Sequence, residues 1–199
     1  MPLLHPALLV AGTVPRPAPY LPAECLSDEP ERLGLTALRR LASTLAAAPE
    51  VWRPVIRHHA DRRWYTRLLL SASVEVWLIG WYPGQQTEVH DHGGALGALA
   101  VADGSVEEDQ YDRRWRLTRV REHRGGATVG FGAAHIHRVA NRGLTPATTI
   151  HAYSPPELPL RYGPSAGDAT ATAGIIGSQP TALIDPSRAE TVAAGAAAR

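Results

Sequence analysis

Glu88-Val89-His90-Asp91-His92-Gly93-Gly94 is the stretch that decides how this chain is read. Two histidines two residues apart in a strand-like run project to the same side, because side chains alternate across a strand. His137 lies in a second strand-like run, Ala134-His135-Ile136-His137-Arg138-Val139. Three imidazoles converging inside a small barrel would form a metal site with open positions, the ring nitrogens at roughly 2.0–2.2 Å from the ion. The plainer alternative is a solvated strand edge that carries two histidines by chance.

The flanking residues weigh against chance. Gly84 stands six residues before His90 and Gly104 twelve after His92. Glycines of this kind mark turns between barrel strands. The spacing is similar to the first cupin motif, and Asn141, four residues after His137, fits the end of the second. Gly97 stands where that motif usually carries a glutamate ligand. The resemblance implies a mainly β fold, a cupin-type antiparallel β-barrel (jelly-roll) with N-terminal helices.

The chain has 199 residues, enough for one domain with a core. Its 20 basic and 19 acidic residues leave a net charge of +1, which gives no basis for a nucleic-acid or membrane-surface partner. No apolar run is long enough to span a bilayer. The start, Met1-Pro2-Leu3-Leu4-His5-Pro6, lacks the features of a signal peptide. A cytoplasmic monomer is expected. One cysteine, Cys25, excludes an intrachain disulfide framework, and nine histidines make imidazole the expected metal donor.

Residues 1–28 are proline-rich and read as an arm that lies on the surface or is mobile. Residues 29–162 read as a helical lead-in plus barrel. Ser27 or Asp28 can cap a helix with Pro30 in its first turn. Leu33, Leu35, Leu38, Leu41 and Leu45 recur at near-helical spacing up to Pro49. That helix is expected on the outside of the barrel, with a short second helix around Glu50 to His58. From Trp64 to Tyr153, short β-prone runs alternate with Gly, Pro and Asn turns. Residues 163–199, rich in Ala, Gly, Thr, Ser and Pro, read as a low-complexity tail with little fixed structure.

Three neutral imidazoles leave the charge of a divalent ion uncompensated, which favours an anionic substrate on the metal. Zinc would activate water there. Ferrous iron usually has a carboxylate beside two histidines, and a thiolate substrate would supply the missing charge. Asp91 faces away from the two histidines and is a poor ligand. Thr149, His151 and Tyr153 alternate along one strand and share a face. A hydroxyl, an imidazole and a phenol in line can hold or pass a proton; ordinary strand composition explains the same residues equally well.

From about Trp64 to Pro156 the sequence resembles the cysteine dioxygenases, thiol dioxygenases of the cupin fold. The resemblance rests on Tyr65-Thr66-Arg67, on Trp81 and Gly84 before His90-Asp91-His92, on His137-Arg138-Val139 with Asn141, and on His151-Ala152-Tyr153-Ser154-Pro155-Pro156. It implies Fe(2+) on His90, His92 and His137, pairing of Arg67 with the substrate carboxylate, and a relay of Thr149, His151 and Tyr153. Tyr65, two residues before Arg67 on the same strand face, can add a hydrogen bond to that carboxylate. The resemblance implies a small thiol and O2 as partners: L-cysteine where arginine stands at position 67, with 3-mercaptopropionate as the alternative. Gly97 takes the place of the cysteine that crosslinks to tyrosine in mammalian members, so Tyr153 is expected unmodified. His135 shares a face with His137 but matches no family ligand. His58, His59 and His123 sit among charged residues and are expected to be solvated. A non-catalytic cupin sensor and a zinc hydrolase or isomerase are the competing readings.

Overall fold

A computed structural model of the chain describes residues 1–10 and 16–164. Among the described residues thirteen strands run in the order β1 (Leu3–Leu4), β2 (Leu9–Val10), β3 (Arg16–Pro17), β4 (Trp64–Leu70), β5 (Glu75–Trp81), β6 (His90–Asp91), β7 (Leu96–Asp103), β8 (Ser105–Tyr111), β9 (Leu117–Arg124), β10 (Thr128–Phe131), β11 (Ile136–Ala140), β12 (Ala147–Ser154) and β13 (Arg161–Tyr162). Two helices, α1 (Leu35–Ala46) and α2 (Pro49–Trp52), precede β4. One sheet has the order β1-β4-β5-β12-β7-β10 and the other β13-β6-β11-β8-β9, antiparallel throughout. β2 and β3 form a separate pair. The molecule is mainly β with N-terminal helices, as the sequence implies.

Two apolar cores divide the work. The outer face of the six-stranded sheet carries Val76, Leu78, Ala98, Ala100, Ile150 and Ala152, all fully buried with Leu38, Leu41 and Leu45 of α1. Each large aliphatic side chain so buried contributes roughly 1.5–3 kcal/mol. The inner core joins the two sheets through Trp81, Leu99, Val101, Val106, Phe131, Val139 and Ala147. Alternation along each strand sends neighbouring residues to these two cores.

Three expectations change. The N-terminal segment is no surface arm: β1 pairs with β4, and Leu8, Leu21 and Cys25 are buried in the outer core. Burial pushes the Cys25 thiol up to about 11, so it acts as a packing residue. The first helix begins at Leu35, after Gly34, and not at Ser27 or Asp28. Its expected first turn is extended because two hydroxyls hold the backbone: Glu31 N–H donates to Ser73 Oγ (3.1 Å) and Leu33 N–H to Ser154 Oγ (2.8 Å). The second helix shrinks to the single turn of α2. The tail beyond residue 164 lies outside the described residues.

Candidate metal centre

β6 is only two residues long, yet it sets the site. His90 lies directly opposite His137 of β11. His92 follows β6 in a turn closed by Ala95 N–H to the His92 carbonyl (3.0 Å). The three imidazole centroids are 4.9–5.0 Å apart. One ring nitrogen from each lies within 4.8 Å of the other two. All three rings are buried.

Each ring is held differently. His90 Nδ1–H donates to the Glu88 carbonyl (2.9 Å) and His137 Nδ1–H to Glu108 Oε1 (2.8 Å), which leaves Nε2 of both as a lone-pair donor. Among the described residues neither ring nitrogen of His92 has a hydrogen-bond partner, although the ring is buried. Its position comes from stacking beside Tyr153 (4.8 Å) and Phe131 (4.9 Å). Burial, followed by the neighbouring His137 charge, pushes His90 down to about 3 and His92 well below its ordinary value. Three neutral imidazoles, one of them with orphaned buried nitrogens, are the donor set a divalent metal ion would satisfy.

Asp91 is a structural residue, as its strand phase implies. Its Oδ1 accepts from Gly93 N–H (2.8 Å) and from Arg161 Nε (2.9 Å).

The acid that matters is Glu108, which sequence reasoning missed. It is 2 % exposed, and its carboxylate accepts four hydrogen bonds. His135 Nε2 and His137 Nδ1 donate to Oε1, both at 2.8 Å. Gln110 Nε2 (2.9 Å) and His123 Nε2 (3.1 Å) donate to Oε2. Burial alone would raise this carboxyl, but the bonds from three histidines hold it well below the usual carboxylate range. One expectation is thereby corrected: His123 is buried and not solvated. His135, which matches no family ligand, shares the Glu108 carboxylate with His137. His58 is half-buried, with Nε2–H donating to the Ala147 carbonyl (3.0 Å), so it too is a structural histidine.

Thr149, His151 and Tyr153 form one hydrogen-bonded chain on the inner face of β12. Thr149 Oγ1 is 2.9 Å from His151 Nε2, and His151 Nδ1 is 3.0 Å from Tyr153 Oη. Trp81 adds a fourth member, its Nε1–H donating to Thr149 Oγ1 at 2.8 Å. An indole can only donate. Thr149 therefore accepts from Trp81 and passes its own proton to His151 Nε2. The neutral His151 ring then carries its hydrogen on Nδ1 and donates it to the phenol oxygen. Burial, reinforced by His137 and His90, pushes His151 down to about 3, consistent with a neutral ring. Burial and then the Glu75 charge push the Tyr153 phenol up, so it keeps its own proton.

Tyr65 and Arg67 lie on this same inner face, opposite Ile79 and Trp77 of β5. The Arg67 guanidinium sits over the Trp77 ring (4.7 Å) and pairs with Glu157 Oε1 at 3.0 Å. Gly97 pairs with both Tyr153 and Phe131. A Cβ at position 97 would fall within 2.1 Å of the Phe131 ring. Phe131 thus fills the space that a side chain at 97 would need.

Among known families, cysteine dioxygenase type I matches residues 36–161. Several solved structures are similar in fold. An uncharacterised protein with a double-stranded β-helix domain from Klebsiella pneumoniae is 17 % identical, over 57 % of this chain and 94 % of that one, with a TM-score of 0.49. A cupin superfamily protein from Desulfitobacterium hafniense is 13 % identical, over 52 % and 86 %, with a TM-score of 0.45. An oxalate oxidase in complex with glycolate is 17 % identical, over 52 % and 56 %, with a TM-score of 0.46. The match covers more than half of the chain, whose three converging histidines could hold a metal ion, and the chain belongs to the cysteine dioxygenase type I family.

Proposed function

We propose that this protein is a thiol dioxygenase that uses mononuclear non-haem iron and O2 to oxidise L-cysteine to cysteine sulfinate. The observation that carries the reading is the buried three-histidine centre, with His90 and His137 tied through Nδ1 and His92 tied by nothing but ring stacking. The overall reaction balances as R–SH plus O2 giving R–SO2H, both oxygen atoms going to sulfur. Bound ferrous iron would supply a soft, redox-active Lewis acid for thiolate and dioxygen.

The rest is the work of the chain. Glu108 fixes the tautomer and orientation of His137 and adds negative charge behind a ligand set that has none of its own. Phe131 and Tyr153 wall the His92 side of the centre with aromatic surface. The chain from Trp81 to Tyr153 ends in a phenolic O–H that is free to donate to a bound molecule. That proton can orient substrate or oxygen without the phenol being a ligand. An arginine on the inner face of β4 takes the substrate carboxylate. The family resemblance gives that part to Arg67, and Tyr65 on the same strand face adds a hydrogen bond.

Metal analysis and oxygen uptake test this reading together. Purified protein should contain iron, and should consume oxygen with L-cysteine in preference to 3-mercaptopropionate and well ahead of cysteamine. Tyr153→Phe should lower turnover while leaving iron bound. Stoichiometric zinc with no oxygen uptake on any thiol would overturn the reading in favour of a hydrolase on the same scaffold.

A further inference from the structure

Glu157 lies in the turn after β12 and has a left-handed backbone, with φ +56°. Glutamate rarely adopts that region, and such a conformation persists where the surroundings fix it. Here they do. The Glu157 backbone N–H donates to Oε1 of the buried Glu75 (3.0 Å), whose Oε2 accepts from the Trp77 indole N–H (2.9 Å). Trp77 lies opposite Arg67 in the strand register, and the Arg67 guanidinium sits over its ring at 4.7 Å. The contacts close on themselves, because Arg67 Nη1 donates to Glu157 Oε1 at 3.0 Å. One buried acid thus holds two things in place: the backbone that carries the Glu157 carboxylate, and the indole beneath the guanidinium that this carboxylate meets.

The backbone is anchored, but the side chain is not. The Glu157 side chain is 59 % exposed against 27 % for Arg67, and among the described residues Arg67 is its one hydrogen-bond partner. Rotation about its side-chain torsions can carry the carboxylate into solvent without moving the turn. A carboxylate on the Arg67 fork is what the functional reading expects of bound substrate. Glu157 presents the same group to the same guanidinium from within the chain. Two carboxylates on one guanidinium repel each other, so the arrival of one disfavours the other.

We propose that Glu157 is an internal competitor for the substrate carboxylate: it occupies Arg67 in the free protein, swings aside when a mercapto acid binds, and so sets the affinity for acids. The proposal rests on the thiol dioxygenase reading, with Arg67 as the carboxylate contact. An exposed ion pair is weak, so the handicap is small. It falls on every carboxylate alike, and a ligand without a carboxylate escapes it.

The test is anaerobic calorimetric titration of iron-loaded protein with L-cysteine, 3-mercaptopropionate and cysteamine, paired with KM and kcat from oxygen uptake. Glu157→Gln should tighten binding of both acids by roughly two- to sixfold, the gain expected when an exposed ion pair no longer occupies the arginine. Glu157→Asn, one methylene shorter and at ease at positive φ, should do the same. Cysteamine binding should be nearly unchanged, and kcat should move less than KM. Weaker binding of both acids in the two variants would overturn the proposal and make Glu157 a residue that positions Arg67. So would a loss for L-cysteine with none for 3-mercaptopropionate, which would place Glu157 on the substrate ammonium. An equal gain for cysteamine, or no change for any ligand, would overturn it as well. If wild-type protein consumes no oxygen with any thiol, the dioxygenase reading fails separately. Propionate then reports on the arginine alone. Binding tightened in Glu157→Gln and lost when Arg67→Gln is added sustains the competition, and binding indifferent to Glu157 removes it.

Discussion

Ile150 and His151 are neighbours on β12 and face opposite sides of one sheet. Ile150 is fully buried among aliphatic residues of the outer core, together with Leu38, Leu41 and Leu45 of α1. His151 is equally inaccessible, but its surroundings are Thr149, Tyr153 and the three-histidine centre. One face is stabilised by apolar burial that needs no particular partner. The other sets a patch of polar groups beside the inner apolar core, tolerable because nearly every one of them is paired. The difference teaches where stability and chemistry reside. The outer face holds the scaffold, and the inner face holds groups at positions a foldable sequence would otherwise fill with aliphatics.

His92→Leu should break the symmetry of that comparison most sharply. His92 keeps two buried ring nitrogens without a hydrogen bond. Removing them relieves an unsatisfied polar burial and also deletes a candidate ligand. Metal content and turnover should fall by more than about a hundredfold, beyond the 10–100-fold typical of residues behind the ligands. The metal-free protein should melt at an unchanged or higher temperature. A variant that unfolds, or one that retains full metal, would show that His92 serves packing and not coordination.

Ile150→Ala should do the reverse. It leaves a cavity in the outer core and should cost about 2–5 kcal/mol in urea unfolding. Iron bound per folded molecule should stay at the wild-type value. Loss of iron from the folded fraction would mean that the two faces are coupled through β12.

How far the sequence revealed each face follows from the same physics. Strand phase put His90 and His92 on one side, and the resemblance to the cupin motifs, with their flanking glycines, added His137. Phase also gave Thr149, His151 and Tyr153 a shared face, and the family resemblance made them a relay. Glu108 was not, because Glu107-Glu108-Asp109 reads as a solvated acidic run. In fact β8 turns Glu108 inward to three histidines and gives Asp109 to Arg138 and Arg142. The clue was its phase: Glu108 lies two residues after the buried Val106, and an acid at a core position is informative. His123 was hidden among the charged, exposed residues of β9, where it is the buried exception. The helix start was misplaced because hydroxyls of Ser73 and Ser154, far away in sequence, capture the backbone of Glu31 and Leu33.

Glu108→Gln sharpens the inner side of the comparison by keeping shape and removing charge. Gln can still accept on one atom, but its NH2 group faces histidine N–H donors. Metal affinity should fall about 10–100-fold, read by competition with a chelator. An unchanged affinity would reduce the buried carboxylate to a folding residue.

The smallest effect is the acid dependence of the metal-free protein. In the unfolded chain a histidine takes up its proton near pH ~6.5. Folded, His151 is held down at about 3 by burial and by its histidine neighbours, and His90 likewise. Between those values the unfolded state binds more protons than the native state. Stability must therefore rise with pH across that window and fall on acidification, by ~1.4 kcal/mol per pH unit for each proton of difference. Glu108 adds the same sign at the acid end, since its carboxyl is held below the ordinary value by its histidine partners in spite of burial. Ile150 carries no titratable group, so Ile150→Ala should shift the curve of unfolding free energy against pH downward without changing its slope. His151→Gln keeps an acceptor for Thr149 but cannot take up a proton. Its slope between about pH 6 and 4 should be shallower by close to one proton. The measurement is urea unfolding of metal-free wild type and both variants at several pH values. Parallel curves for wild type and His151→Gln would mean that His151 is protonated within the fold, and that the Thr149–His151–Tyr153 chain runs with an imidazolium at its centre.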